Sequence, residues 1–298
     1  MKNLYNELEN KIKIINKKKK LNKKRTAFFI SNTAKFKDVP FYFSPMRETE
    51  NFYYFGIVTF SQRVAKKICK IIDGRFDIIF VDTEKKSIAS KKNRLGSRVN
   101  IEGTVKVNIK KTYLRFYKAN DITVDAAENF LEHQFKNAKS NFGGKQILII
   151  GVGNIGFKLS LRLVERSANV QIYRRDSKKL KKISELINFI KPKGNYSKVK
   201  RFKFSSKGLN FFDAIICCAK GTNIINSKNI KDLKKNIILL DVGKGMFEKN
   251  ALKKLIDDNI KIFRLDVSAS LDMIVENSEI YKKIDKKKYE IRALNKHM

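Results

Sequence analysis

Residues 147–176 read ILIIGVGNIGFKLSLRLVERSANVQIYRRD, and no other stretch limits the possible folds as tightly. The apolar run Ile147–Ile150 ends at Gly151-Val152-Gly153-Asn154-Ile155-Gly156. An amphipathic segment follows, and a second apolar run begins near Asn169. This order predicts a strand, a tight turn, a helix and a second strand, with G-x-G-x-x-G at the turn. Gly151 allows the sharp exit from the strand, Gly153 lets backbone approach a pyrophosphate, and Gly156 lets helix and strand pack closely. The helix start, Asn154 and Ile155, offers free N–H groups and the positive end of a dipole to an anion. The implied ligand is a dinucleotide.

The second strand runs into Tyr173-Arg174-Arg175-Asp176. A dinucleotide with a free ribose 2′-hydroxyl calls for an acid directly after this strand. Arg174 stands there and Arg175 follows, two guanidinium groups suited to a 2′-phosphate. NADP is therefore the expected cofactor. NAD stays open, because Asp176 reaches a ribose if the strand ends later.

Strands and helices go on alternating to the C-terminus, and the strand runs are continuously apolar, as in strands covered on both faces. The expected fold class is α/β, a C-terminal Rossmann doubly wound parallel sheet preceded by a smaller N-terminal α/β domain. Ser140-Asn141-Phe142-Gly143-Gly144 is a turn-rich break. It divides the chain into a basic helical arm (1–25), an N-terminal domain (26–140) and a dinucleotide-binding domain (141–298). Strands are expected at Thr26–Ser31, Tyr53–Phe60, Phe76–Asp82, Val105–Ile109, Tyr113–Tyr117, Lys198–Phe204 and Asp213–Cys218, and an exposed loop at 83–100. Helices are expected over residues 3–16, from Ser61 to Ile72, from an N-cap at Thr123 to Lys139, at 228–235 and at 271–284.

The formal charge is +37. Fourteen arginines leave 52 of the 66 basic residues as lysine, spread over every expected helix surface. That pattern reads as compositional drift rather than a dedicated nucleic-acid surface. The acid-free run Lys11–Arg25 is the one true cluster, and an RNA-associated role rests on it alone. A basic surface also draws anionic substrates. No apolar run is long enough to span a bilayer, so neither membrane insertion nor export is expected, and the reading is cytoplasmic. A homodimer is compatible with the class. Three cysteines, two of them adjacent (Cys217 and Cys218), suit neither a disulfide framework nor a metal site.

The segment GGKQILIIGVGNIG, the RRD where Asn-Arg-Thr is usual, and the preceding helix together resemble the shikimate dehydrogenase and glutamyl-tRNA reductase group. IILLDVGKG (237–245) resembles the late strand of methylene-tetrahydrofolate dehydrogenases. The resemblance implies NAD(P)-linked oxidoreductase chemistry. In shikimate dehydrogenases an Asn-Thr-Asp element before the linking helix supplies a substrate-binding asparagine and a catalytic aspartate. Asn120-Asp121-Ile122-Thr123-Val124-Asp125 is similar in content and different in spacing, which makes Asn120, Asp121 and Asp125 candidates.

Independently of any family, a doubly wound sheet holds its ligand outside the carboxyl ends of the strands. That points to Cys218, Ala219, Lys220 and Gly221, to Asp241, Gly243 and Lys244, and to Asp266 and Ser268. Cys218, Ala219 and Gly243 join the glycine motif, Arg174 and Arg175 as cofactor-binding candidates. Hydride transfer to a carbonyl needs a proton donor, and Asp121 and Lys244 are the catalytic candidates, with Lys85 and Lys86 behind them. The expected function is an NADP-dependent (or NAD-dependent) oxidoreductase moving hydride to or from a small anionic metabolite. The alternative is a non-catalytic dinucleotide-binding regulatory module.

Overall fold

The computed structural model describes residues 2–33, 40–85, 99–136, 141–204, 208–221, 223–231 and 233–280. The chain divides into two compact units, Met1–Ala119 with Leu271–Met298, and Asn120–Ser270. No helix among the described residues is long and apolar enough to cross a membrane.

The first unit is built on a sheet of β1 (Arg25–Asn32), β2 (Phe41–Phe43), β3 (Arg47–Glu48), β4 (Phe52–Thr59), β5 (Ile78–Asp82) and β6 (Tyr113–Tyr117). Its order is β2-β4-β1-β5-β6, with β3 also on β4. Strands β4, β1, β5 and β6 run parallel, while β2 and β3 are antiparallel to β4. Helices α1 (Lys2–Asn22), α2 (Gln62–Ile72) and α3 (Ile101–Asn108) share one core with the sheet.

Two expectations change here. The basic segment 1–25 is not a separate arm: the Leu4, Leu8, Ile12 and Ile15 stripe of α1 is buried in this core. Its lysines lie along the outer side, where Lys19 pairs with Asp77 at 2.8 Å. Val105–Ile109 is not a strand but the end of α3, whose start is capped by the Asn100 side chain accepting from Gly103 N. Ile101 and Val105, four apart, lie together in the core as a helix requires. The loop expected at 83–100 falls mostly outside the described residues, as does Lys86.

The second unit is the doubly wound domain. Its strands are β7 (Gln146–Ile150), β8 (Asn169–Tyr173), β9 (Lys200–Arg201), β10 (Ala214–Cys217), β11 (Ile238–Asp241) and β12 (Lys261–Arg264). The order is β12-β11-β10-β7-β8-β9, all parallel. The chain starts at the centre, builds one half and returns to build the other, so the switch point lies between β7 and β10. One face buries Ile147, Ile149 and Ile216 against α4 (Ala119–Phe135), α5 (Asn154–Glu165) and α6 (Ser177–Ile190). The other face buries Leu148, Ile150 and Ile215 with Ala251 and Leu255 of α7 (Lys249–Asp257).

The domain boundaries shift accordingly. Helix α4 begins at Ala119, four residues before the expected cap at Thr123. It belongs to the second unit, because Val124, Ala127, Leu131 and Phe135 are buried in that core. The chain leaves this unit after Ser270, within α8 (Ser268–Glu276), which starts earlier than the helix expected at 271–284; residues 281–284 lie outside the described set. Residues 228–235 form turns where described, and the strand expected at Lys198–Phe204 is reduced to β9.

Candidate dinucleotide site

The glycines at the end of β7 are fixed by space as well as by φ. Gly151 has φ +91°, and a Cβ there would lie 2.6 Å from the Ala219 backbone nitrogen. A Cβ on Gly156 would lie 2.3 Å from the Gly151 carbonyl oxygen, so the first turn of α5 sits directly on the loop. Gly153 differs: it is the extended N-cap of α5 (φ −87°, ψ −152°), and a Cβ there would meet no atom within 4 Å. The one glycine of the motif with open space is the one expected to face a pyrophosphate.

Across the switch point, Cys218 and Ala219 leave β10 between two glycines. Gly151 is on one side; on the other a Cβ on Gly243 would lie 2.1 Å from the Ala219 carbonyl oxygen. The loops after β7, β10 and β11 thus pack backbone against backbone. Asp241 holds the third: nine-tenths buried, it accepts from Lys244 N at 3.0 Å and Gly245 N at 3.1 Å and lies 3.6 Å from Arg264. Lys244 adopts φ +72°, uncommon outside glycine, and its carbonyl accepts from Gly221 N at 2.8 Å. Burial pushes the Cys218 thiol up, so it stays protonated near neutral pH, as a small packed residue rather than a nucleophile.

These loops frame a cavity of about 400 Å³ at the carboxyl edge of the sheet. Gly151 and Gly153, Arg174 and Arg175, and Cys218 and Ala219 all line it. Six expected cofactor residues thus meet in one place. Asn154 and Ile155 open α5, while Gly156 and Gly243 act through backbone packing and do not line the cavity. Arg174 donates from Nη1 to the Val152 carbonyl at 3.1 Å, bracing the glycine loop. Asp176 also lines the cavity, but its carboxylate caps α6 by accepting from Lys179 N at 3.0 Å. That bond, with the Lys179 and Arg174 charges, holds its carboxyl below the ordinary value.

The catalytic candidates stand apart from this cavity. Asp121 lies in the first turn of α4 and pairs with Lys158 of α5. It is the first rung of a ladder that continues through Arg162 with Asp125 and Glu128, and Arg166 with Glu128 and Glu132. Lys244 is exposed on its loop. Sequence reasoning passed over Tyr173, Val152 and Ile224 as lining residues and Asp241 as the loop's anchor. The signal for Asp241 was a carboxylate at a strand end followed by Val-Gly-Lys-Gly.

Residues 133–246 match the family model of shikimate / quinate 5-dehydrogenase. The second unit is a shikimate-dehydrogenase-like Rossmann domain. Domains of this kind bind a nicotinamide dinucleotide, and the cavity of the shikimate-dehydrogenase-like domain lies at the edge where one is held. No curated protein matches the chain. Among solved structures, it is similar to L-tryptophan dehydrogenase from Nostoc punctiforme (14% identity over 86% of this chain and 74% of that one, TM-score 0.45). It is also similar to a dipicolinate synthase from Bacillus halodurans (13%, 88% and 98%, TM-score 0.41) and to ornithine transcarbamoylase from Giardia lamblia (11%, 85% and 86%, TM-score 0.47). At this distance such likenesses do not select a chemistry.

Proposed function

We propose that the chain is an NADP-dependent oxidoreductase that moves a hydride to or from a small anionic metabolite. The observation that carries this reading is the end of β8: Arg174 and Arg175 line the cavity, while the nearest acid, Asp176, is engaged as a helix cap. Two guanidinium groups match a 2′-phosphate, and the one carboxylate beside them is turned to the Lys179 amide and paired with the Lys179 ammonium.

When bound, the dinucleotide supplies or accepts the hydride. The protein's part starts with the phosphate loop, where Gly153 leaves room for the pyrophosphate against the N-terminus of α5. Arg174, bonded to Val152 O, keeps that loop and the ribose end in one register. The loop after β10 forms the opposite wall, and the loop after β11, held by Asp241, packs behind it through Gly243. We assign proton transfer to Asp121 or Lys244, and attraction of an anionic substrate to the excess positive charge of the surface.

The test is NADPH oxidation with a panel of small carbonyl acids. Turnover that falls in Asp121→Asn or Lys244→Met with unchanged cofactor affinity supports the assignment. Dinucleotide binding without turnover across the panel would instead favour a sensing module.

A further inference from the structure

Beside the dinucleotide cavity lies a second, of about 860 Å³. The two share Tyr173, Arg174 and Arg175. The second runs between the N-terminal half of α6 and the edge strand β9, and Lys200, Arg201 and Lys203 add three cations to the shared arginines. Among the described residues no acid lines it. Its volume lies in the range of whole small-molecule sites, well above what one phosphate fills.

What sets its charges apart is that they gather around one concavity. Elsewhere in the unit the arginines of α5 face acids of α4. Among the described residues Arg175, Lys200, Arg201 and Lys203 have no acidic partner. Asp176 lines only the first cavity and is held to Lys179. Like charges gathered around one concavity repel each other until an anion enters. The wall between them is aromatic: Phe204 meets Tyr173 edge-on at 4.8 Å and Phe202 at 5.3 Å. Forked cations over an aromatic wall suit phosphate groups on a flat or apolar carrier.

We propose that this cavity is a second phosphate site, built by β9 and α6, that takes phosphate groups beyond the pyrophosphate of the dinucleotide. It rests on the dinucleotide reading only for what lies next door. The phosphate belongs to a phosphorylated small molecule separate from the dinucleotide.

The probe is inorganic tripolyphosphate, titrated calorimetrically at fixed ionic strength into the full chain. Two triple variants remove equal charge from exposed positions: Lys200→Ser/Arg201→Ser/Lys203→Ser at the cavity, and Lys249→Ser/Lys253→Ser/Lys254→Ser on α7. The cavity variant should bind tripolyphosphate at least about tenfold more weakly, equivalent to one charge-assisted hydrogen bond, and the α7 variant should match the parent. Both should melt near the parent's temperature and bind NADH as the parent does; a single Arg201→Glu exchange, also expected to weaken tripolyphosphate, covers any folding defect in the triple cavity variant. Equal loss in both triple variants, or no binding to the parent, would overturn the proposal. If NADPH displaces tripolyphosphate and NADH does not, the cavity is only the 2′-phosphate end of the cofactor site and the proposal falls; tripolyphosphate bound alongside NADPH supports a separate ligand. Failure of the parent to bind either dinucleotide would remove the proposed function and leave the tripolyphosphate result standing.

Discussion

Gly153→Val separates the binding role of the glycine loop from its folding role. At Gly153 a Cβ meets nothing within 4 Å and the backbone is extended, so valine introduces no clash and no left-handed strain. Replacing glycine by a residue that is poor at a helix N-cap costs less than ~1 kcal/mol. The side chain would occupy the space where backbone must approach a pyrophosphate. Losing one amide–phosphate bond, at ~1.5–3 kcal/mol, weakens dinucleotide binding from about tenfold to over a hundredfold. Gly156→Ala should do the reverse. Its Cβ would overlap the Gly151 carbonyl at 2.3 Å, and overpacking of this kind costs ~1–3 kcal/mol, which a helix-propensity gain of ~1 kcal/mol offsets only in part. Urea unfolding of the free protein and calorimetric titration with NADPH measure the two effects separately. Dinucleotide affinity in Gly153→Val within twofold of the parent would refute the reasoning, since the loop would then be a packing device alone.

Arg174→Asp should weaken NADP by about ten- to hundredfold and spare or improve NAD, and the parent's preference should shrink as salt is raised. If the parent prefers NAD at low salt, Asp176 is the ribose ligand. Asp241→Ala removes the acceptor for the Lys244 and Gly245 amides and should cost ~1–2 kcal/mol in urea unfolding, because two partly buried donors lose their partner; an unchanged midpoint would show that the loop holds itself. Arg162→Ala should cost no more than ~1 kcal/mol, less at high salt, since the α4–α5 ladder is partly exposed. Burial pushes the Cys69 thiol from 9.0 up to about 12, so its contribution to stability is complete below pH 9 and declines as pH rises from there towards 12. Cys69→Ala should flatten that decline, and an identical slope in both proteins would contradict it.

The doubly wound parallel class of the second unit and the residues around its glycine turn were legible because each rests on a local rule. A glycine that must turn, a strand apolar on both faces and an arginine at a strand end all announce themselves in the sequence. What was missed depended on tertiary packing. The lysines of α1 read as a free arm, yet burial of Leu8 and Ile12 on the first sheet settles where the helix lies. Val105 and Ile109 are β-branched and look strand-like, but the Asn100 cap and the packing of Ile101 with Val105 make a helix. Asp121 shares the content but not the spacing of a catalytic element, and only its pairing with Lys158 shows what it touches. The second basic cavity was invisible because Lys200, Arg201 and Lys203 are three among 66 basic residues until β9 pairs with β8.

Titrating the purified chain with NADPH and with NADH, followed by nicotinamide fluorescence at low salt, tests the account at its centre. Saturable enhancement with both, and tighter binding of NADPH, is the expected result. No binding of either between micromolar and millimolar concentration would contradict it.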